Sequence, residues 1–398
     1  MRIAIISDIH YGESEQYGKI NPETKLNTRL EDIDTAFNLF IDYVLDPNNL
    51  IDIVILGGDF YKARKPTPTQ QLLLSKSLVR FINYNKENPE KPLNVIIFTG
   101  NHDVQRNELA HSISTIATLI DSQSLWIEDK PRNYYFEAGE EKVLICTIPF
   151  LYRQKLEMGS NQQVVDFYGS LLKQALEEYS GATCKVMAGH QTIEGCSITE
   201  YSDMNSFNEP IIPIDLFNGF DFVSQGHIHT YQILKTENPL IVHQGNPTQL
   251  EFDNVSNKGF IVYDTQLKKH LRVPIIGPNF LRLDFDGTED ENVNETIKQK
   301  IIASGDLSTS IVKIRVKTRE KQVILDKEIK ELVKEAKFFA GIEKEVIPSG
   351  TRIRSTSVKK GESLEVILTA VAKSRDYTPE KTAEYVAAGL ALQIGDSQ

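Results

Sequence analysis

Three observations place this chain in the α/β class. Short apolar, β-branched runs recur, each closed by a polar or glycine-containing turn, and helical patterns lie between several of them. From about residue 277 a shorter alternation of the same kind starts again. Strand and helix in alternation build a layered α/β core, so a large layered domain followed by a smaller α/β module is expected.

The strands are expected at residues 3–6, 53–56, 95–98, 143–148, 185–188, 222–224 and 240–243, where near-continuous apolar runs suit strands buried on both faces. Residues 30–44 and 69–84 repeat apolar side chains at three- and four-residue steps and are expected to be helices. After the run at 259–264 the rhythm thins, and Pro274, Gly277 and Pro278 punctuate a boundary, so the first domain is set at 1–277. A cap at 278–346 follows, read as a strand at 281–285, a helix at 292–303, a strand at 311–316 and a helix at 325–339. Residues 347–361, rich in Ser, Thr, Lys, Arg and Gly, read as a linker. Residues 362–398 then read as a helix pair. Leu364, Ile367, Leu368 and Val371 share one face of the first helix, and Thr378 and Pro379 start the second, which presents Ala383, Val386, Leu390 and Ile394 and stops at Gly395. A pair this short has to dock, on its own chain or on a partner.

A net charge of −11 argues against a generally basic surface, yet the charge is uneven. Residues 311–398 hold 17 Lys/Arg and 13 Asp/Glu, net +4, against 27 and 42, net −15, for residues 1–310. Asp8 comes too early for a secretory apolar region, and no later stretch approaches the roughly 18 apolar residues of a membrane span, so a cytoplasmic protein is expected. Cys146, Cys184 and Cys196 have no zinc-finger or disulfide spacing.

Five segments put metal-liking side chains directly after expected strands: Asp8-Ile9-His10, Gly58-Asp59, Asn101-His102-Asp103, Gly189-His190 and His227-Ile228-His229. Ligands of open α/β sheets collect outside the carboxyl ends of strands, where distant loops converge. Glycines before Asp59, Asn101, His190 and His227 are expected to supply tight turns and positive φ. A lone Gly-His is more often a turn than a ligand, but five of the eight histidines fall at these strand ends. Two aspartates, one asparagine and four histidines offer oxygen and imidazole nitrogen without thiolate, which suits two divalent metals, manganese first, with magnesium, iron or zinc as options. Such a pair hydrolyses phosphoesters, and a carboxylate between the metals lowers their repulsion, which makes Asp59 the natural bridge. His111, His243 and His270 lack this context, although His243, just before Gln244-Gly245-Asn246-Pro247, could sit at the rim.

The ordered motifs resemble the calcineurin-like metallophosphoesterase superfamily. Arg29-x-x-Asp32 with Ala36-Phe37, Gly58-Asp59-Phe60 with Pro66-Thr67-Pro68, and Gln244-Gly245-Asn246-Pro247 make the chain look like the SbcD branch of bacterial and phage double-strand-break-repair nucleases. The resemblance spans about residues 1–265. It implies a layered β-sandwich flanked by helices, one metal on Asp8, His10, Asp59 and His229, and a second on Asp59, Asn101, His190 and His227. It also implies that His102 stabilises the transition state or protonates the leaving oxygen, with Asp103 orienting its ring; a hydrogen-bonded loop histidine is the plainer alternative. A long polar loop at 11–28, and Asn246 where the family commonly has serine, depart from the pattern.

The resemblance further implies a DNA exonuclease and endonuclease working on DNA ends in repair and recombination. It would be a homodimer within a heterotetramer with an SMC-like ATPase of the SbcC kind, gripped by the terminal helix pair, with dimer contacts near residues 70–84 and 109–120. Lys313, Arg315, Lys317, Arg319 and Lys321 alternate along one expected strand, so they can face phosphates together or simply form a solvated edge. No Gly-x-x-x-x-Gly-Lys-Ser/Thr stretch occurs, so ATP is not expected to bind this chain through a P-loop. Other phosphoesterases of the same core, a phosphatase or a cyclic-nucleotide phosphodiesterase, and a catalytically silent DNA-end scaffold are the rivals. Gly58-Asp59-Phe60-Tyr61 lacks the Asp-Arg-Gly of phosphoprotein phosphatases.

Overall fold

The structure is a computed structural model that describes residues 1–398 except 105–110, 115, 117–123, 198–208, 253–256, 321, 348–362, 375–376 and 396–398. The expected linker, Lys321 and most of the 109–120 segment lie outside the described residues. By compactness the chain divides into two units, residues 1–283 with 300–314 and 327–341, and residues 284–299, 315–326 and 342–398.

In chain order the first elements are β1 (Arg2–Ile6), α1 (Thr28–Leu45), β2 (Ile53–Leu56), α2 (Pro68–Glu87), β3 (Asn94–Phe98), β4 (Leu125–Glu128), β5 (Arg132–Ala138) and β6 (Glu141–Ile148). They continue with α3 (Asn161–Glu178), β7 (Cys184–Gly189), β8 (Thr192–Ile193), β9 (Ile211–Ile212), β10 (Phe222–Gln225), β11 (Gln232–Lys235), β12 (Leu240–His243), β13 (Gly259–Asp264) and β14 (Lys269–Pro274). Two six-stranded sheets result, in the orders β14-β13-β1-β2-β3-β4 and β11-β12-β10-β7-β6-β5. The central strands of both are parallel, β1 with β2, β2 with β3, β6 with β7 and β7 with β10.

Alternation along the strands explains the layers. Ile3, Ile5, Ile53, Ile55, Ile96 and Phe98 of the first sheet meet Val143, Ile145, Val186, Phe222 and Val242 of the second in one buried cluster. Their neighbours Ala4, Ile6, Val54, Leu56, Val95 and Ile97 turn the other way, onto Leu30, Phe37, Phe40, Leu74, Leu78 and Phe81 of α1 and α2. Leu144, Cys146, Met187 and Val223 likewise pack on Val164, Tyr168 and Leu172 of α3. The result is a sandwich of two sheets with a helical layer on each outer face, the expected fold class.

The helix starts are written locally. Asn27 caps α1 by accepting from Arg29 N, and Thr67 and Gln70 form a capping box around Pro68, the first residue of α2. α3 was not expected, although Ser160 and Gln163 form the same box and Val164, Tyr168, Leu172 and Ala175 are buried at helical spacing.

The Arg29-x-x-Asp32 motif proves to be a buried clamp. Arg29 donates to Asp32 Oδ2 at 2.8 Å and to the Gln249 carbonyl at 2.7 Å, and its guanidinium lies 5.1 Å from the Phe280 ring. Asp32 also receives Lys337. The long loop at 11–28 is anchored beside it, with Tyr17 edge-on to Phe252 and Phe280 at 5.6 Å each. Breaking the pair with Asp32→Ala strands a buried guanidinium, so a loss of about 3–5 kcal/mol is expected, read as a lower urea midpoint. An unshifted midpoint would remove the clamp from the account.

The remaining elements are β15 (Asn279–Asp286), α4 (Val293–Ala303), β16 (Ser310–Arg319), α5 (Asp326–Leu332), β17 (Phe338–Ile347), α6 (Leu364–Ser374) and α7 (Pro379–Gly395), with β15, β16 and β17 hydrogen-bonded in that order. One expectation is corrected here: the helix assigned to 325–339 ends at Leu332, and a third strand follows. The ladder to β16 decides this, because it pairs the backbone across strands and sets Glu343 and Glu345 beside Arg315 and Lys317. Arg315 meets Glu343 at 3.2 Å and Lys317 meets Glu345 at 3.7 Å. α6 and α7 pack on each other as a hairpin, with Thr378 capping α7 through Lys381 N and Tyr377 edge-on to Tyr385 at 5.7 Å. No helix among the described residues is long and apolar enough to cross a membrane.

Candidate metal centre

The site gathers at the carboxyl ends of the parallel strands. Asp8 and His10 follow β1, Asp59 follows β2, Asn101 to Asp103 follow β3, His190 follows β7, and His227 and His229 follow β10. Backbone pairing continues past the strands: Asp8 N donates to Gly58 O and His10 N to Asp59 O, both at 3.0 Å, and Gly226 N donates to Gly189 O at 2.9 Å. The loops are therefore held in register as they leave the sheets.

Positive φ falls mainly on the ligand residues themselves: Asp8 (56°), His10 (53°), Asp59 (55°) and His227 (76°). The expectation that the preceding glycines carry it holds for Gly58 (87°) alone among the four predicted positions. At Gly100 the need is room, since a Cβ there would run into Asp59 Oδ1 and the Asp59 amide. Left-handed backbone at four non-glycine residues costs on the order of 1–3 kcal/mol each, the kind of strain that a functional crevice retains.

All seven predicted ligand residues meet. Asp59 Oδ2 lies 3.6 Å from His10 Nε2 and 3.3 Å from His190 Nε2, between the two sets. Asp8 Oδ1 is 3.9 Å from His10 Nε2, 3.9 Å from His229 Nε2 and 3.8 Å from His190 Nε2. Asn101 Oδ1 is 3.1 Å from His190 Nε2 and 2.9 Å from His227 Nδ1. His10 and His229 bring their Nε2 atoms to 2.9 Å.

The donor chemistry fits divalent cations. Imidazole nitrogens, carboxylate oxygens and an amide oxygen point at shared points, and three groups, Asp8 with His10 and His229, Asp8 with Asp59 and His190, and His10 with Asp59 and His102, each lie within 4.8 Å. Burial, helped by the His229 charge and opposed by Asp59, holds His10 well below the ordinary histidine range, and burial also lowers His229 against the pull of Asp8 and Asp59, so both favour the neutral form that coordinates. Burial would lower His190 as well, but Asp59 and Asp8 override it and raise the group to about 10. Burial opposes ionisation of Asp59, yet His190 and His102 hold its carboxyl well below the usual range. The crevice therefore carries a negative field that a cation would satisfy.

His102 sits beside this set, its amide donating to Asp59 Oδ1 at 2.8 Å and its ring 4.9 Å from that of His10. The partner of its Nδ1 is the Lys62 carbonyl, at 2.8 Å. Asp103, expected to orient that ring, instead accepts from the backbone N–H groups of Asp59 (2.7 Å), Gly100 (2.9 Å) and Phe60 (3.1 Å) and from the Ser112 hydroxyl (3.1 Å). It fastens the β3 loop to the β2 loop. Burial and the Asp59 charge raise its carboxyl to about 7.

Several contributors had not been singled out. Phe150 packs against the His190 and His227 rings at 6.2 and 5.5 Å, and Tyr152 donates to the Asn101 carbonyl at 2.6 Å. Both follow β6, the neighbour of β7, so strand-end position was an available signal. Glu209 Oε2 stands 3.0 Å from His227 Nε2. Asn246, one of the two departures from the family pattern, is buried and receives Lys258, which also donates to the His229 carbonyl at 3.2 Å.

His243, for which the sequence left a place at the rim open, is fully buried. Its Nδ1 pairs with Gly226 O at 3.1 Å and its Nε2 accepts from Ile193 N at 3.4 Å, a pattern that only the neutral ring satisfies. Burial lowers it to about 3 from an ordinary 6.5. A depressed histidine gives stability that is present above the unfolded value and lost as pH falls through the folded one. Melting temperature should therefore drop between pH 6.5 and about 3, with His10 and His229 adding to the same trend in metal-free protein. His243→Gln should flatten the drop; an equal slope in both proteins would count against this assignment.

The basic stripe is present on one face of β16 but is charge-matched. Arg315 and Lys317 pair with Glu343 and Glu345, Arg319 pairs with Glu289, and Lys313 lies 6.0 Å from the Phe252 ring. A phosphate backbone would meet alternating charges there, not a cationic track.

Comparison with known families places the core. The model of the calcineurin-like phosphoesterase family matches residues 1–231. The chain belongs to that family. This phosphoesterase is also similar to a solved structure, a single mutant of Vps29 from Entamoeba histolytica, at 11% identity and a TM-score of 0.25, covering 69% of this chain and 100% of that one. A likeness of that size supports nothing further, and no curated protein matches the sequence. Family membership implies metal-dependent phosphoester hydrolysis, and the Asp/His groups of this phosphoesterase are where divalent metals would bind.

Proposed function

We propose that this phosphoesterase is a DNA nuclease subunit that hydrolyses phosphodiester bonds at DNA ends with two divalent cations, manganese being the first choice. The observation that carries the reading is the pair of ligand sets sharing Asp59, with His102 held against the same carboxylate. Asp8, His10, Asp59 and His229 would hold one cation, and Asp59, Asn101, His190 and His227 the other. Bound there, such cations lower the pKa of a water and stabilise charge on phosphoryl oxygens.

The protein's own groups supply the rest. The Lys62 carbonyl holds the His102 ring through Nδ1, and in this reading the ring would stabilise the transition state or give a proton to the leaving oxygen. Asp103 keeps the β2 and β3 loops at fixed separation. DNA as substrate rests on the sequence motifs Arg29-x-x-Asp32, Gly58-Asp59-Phe60 and Gln244-Gly245-Asn246-Pro247.

The test is manganese-dependent release of nucleotides from a linear duplex, compared with hydrolysis of p-nitrophenyl phosphate and of bis-p-nitrophenyl phosphate. Cleavage of the duplex and the diester is expected. Turnover of the monoester alone would make the protein a phosphatase instead. A partner ATPase of the SMC kind, gripped by the α6–α7 hairpin, belongs to the same proposal. Deleting residues 347–398 should abolish its binding and spare the nuclease activity. Self-association through α2 is checked by sedimentation over a concentration series.

A further inference from the structure

A metal-holding histidine needs an acceptor for its second ring nitrogen, and His227 has an anionic one. Its Nδ1 faces Asn101 Oδ1 at 2.9 Å, and its Nε2 lies 3.0 Å from Glu209 Oε2. Both side chains are largely enclosed, 8% and 18% exposed, and the contact is close without being a linear hydrogen bond. Among the described residues Oε2 has no other donor.

The geometry points to Glu209 as a positioning residue for the cation position shared by Asp59, Asn101, His190 and His227. A neutral imidazole carries one N–H and one lone pair, so a cation on Nδ1 requires the proton on Nε2. Glu209 selects that tautomer, fixes the ring and makes Nδ1 a better donor. His190 and His102 use backbone carbonyls in the same place, Gly57 O at 2.7 Å and Lys62 O at 2.8 Å. A carboxylate polarises the ring more strongly than a carbonyl.

Glu209 is placed by the chain and not by chance proximity. It stands two residues before β9, and β9 pairs in parallel with β8, Thr192 opposite Ile211, directly after His190. Glu194 N closes the pairing by donating to Ile212 O at 2.9 Å. One short ladder thus fixes His190 and the carboxylate that serves His227.

The inference rests on the binuclear reading above, and one experiment separates the two. Full-length metal-free protein is titrated with Mn²⁺ alone by calorimetry, for wild type, Glu209→Ala and Glu209→Gln, with circular dichroism to confirm folding. Wild type should take up two Mn²⁺. Glu209→Ala should weaken one of the two sites about 10–100-fold and leave the other unchanged, and Glu209→Gln, which keeps an acceptor oxygen, should fall between. Two unweakened sites in both variants would overturn the role of Glu209 while leaving the binuclear reading intact, and so would equal weakening of both sites. Uptake of fewer than two Mn²⁺ by wild type would overturn both.

Discussion

Asp59→Asn should lower manganese-dependent hydrolysis of a phosphodiester by at least about 10³-fold, a loss of the size that general acid–base and charge-stabilising groups supply. It should also reduce bound Mn²⁺ from two to no more than one. The substitution keeps shape and one oxygen but removes the charge, and the charge is what the position demands. Two divalent cations about 4 Å apart repel by roughly 17 kcal/mol at an effective dielectric of about 20. Asp59 is the carboxylate whose Oδ2 reaches both sets, 3.6 Å from His10 and 3.3 Å from His190, and whose Oδ1 holds the His102 amide. Asp8 approaches the same histidines only at 3.8–3.9 Å and cannot take over both duties. Metal stoichiometry by calorimetry and rate on bis-p-nitrophenyl phosphate are read on the same preparation. Two bound Mn²⁺ with a rate within tenfold of wild type would end the bridging assignment.

The ligands were legible because of where they stand. Each follows a strand whose apolar run leaves little choice but burial on both faces, so the next polar residue has to emerge at the strand end. Adjacent parallel strands then bring those ends together, and Ile55 opposite Ile5 and Ile96 is enough to align Asp59 with Asp8 and Asn101. What was not legible depends on distances between segments. Asp103 looked like a partner for the residue beside it, but its carboxylate is taken by amides of the Asp59 loop, 43 and 44 residues away. Positive φ could not be assigned to Asp8 or His10 from sequence, since most side chains avoid it, and here it accompanies backbone hydrogen bonds to the neighbouring Gly58-Asp59 loop.

The helix expected over 325–339 overlaps the first two residues of β17, and residues 340–346, with the good helix formers Glu343, Lys344 and Glu345, carry no strand signal. As a strand they set Glu343 and Glu345 against Arg315 and Lys317. The basic stripe that alternation predicts is therefore present, and its partners are not legible in the sequence because no strand signal marks residues 343 and 345. Each pair is exposed and contributes little to stability, so its main effect is to cancel the local field.

His102→Ala is expected to lower the rate on DNA by about 10²–10⁴-fold, with both Mn²⁺ retained. The structure leaves two chemical uses for this ring, and they predict different losses. It lies within 4.8 Å of His10 and Asp59 as a possible ligand, and its Nδ1 is engaged by the Lys62 carbonyl as for a ring that serves substrate through Nε2. A ligand role would cost a metal and slow every substrate alike. A proton-donating role would spare the metals and depend on the leaving group: deoxyribose oxygen is a poor leaving group that needs the proton, whereas p-nitrophenolate departs without help. The loss should thus be much larger on duplex DNA than on bis-p-nitrophenyl phosphate. Equal losses on the two, with one Mn²⁺ missing from the titration, would move His102 from acid to ligand, and equal losses with both metals kept would leave it stabilising charge on the phosphoryl oxygens.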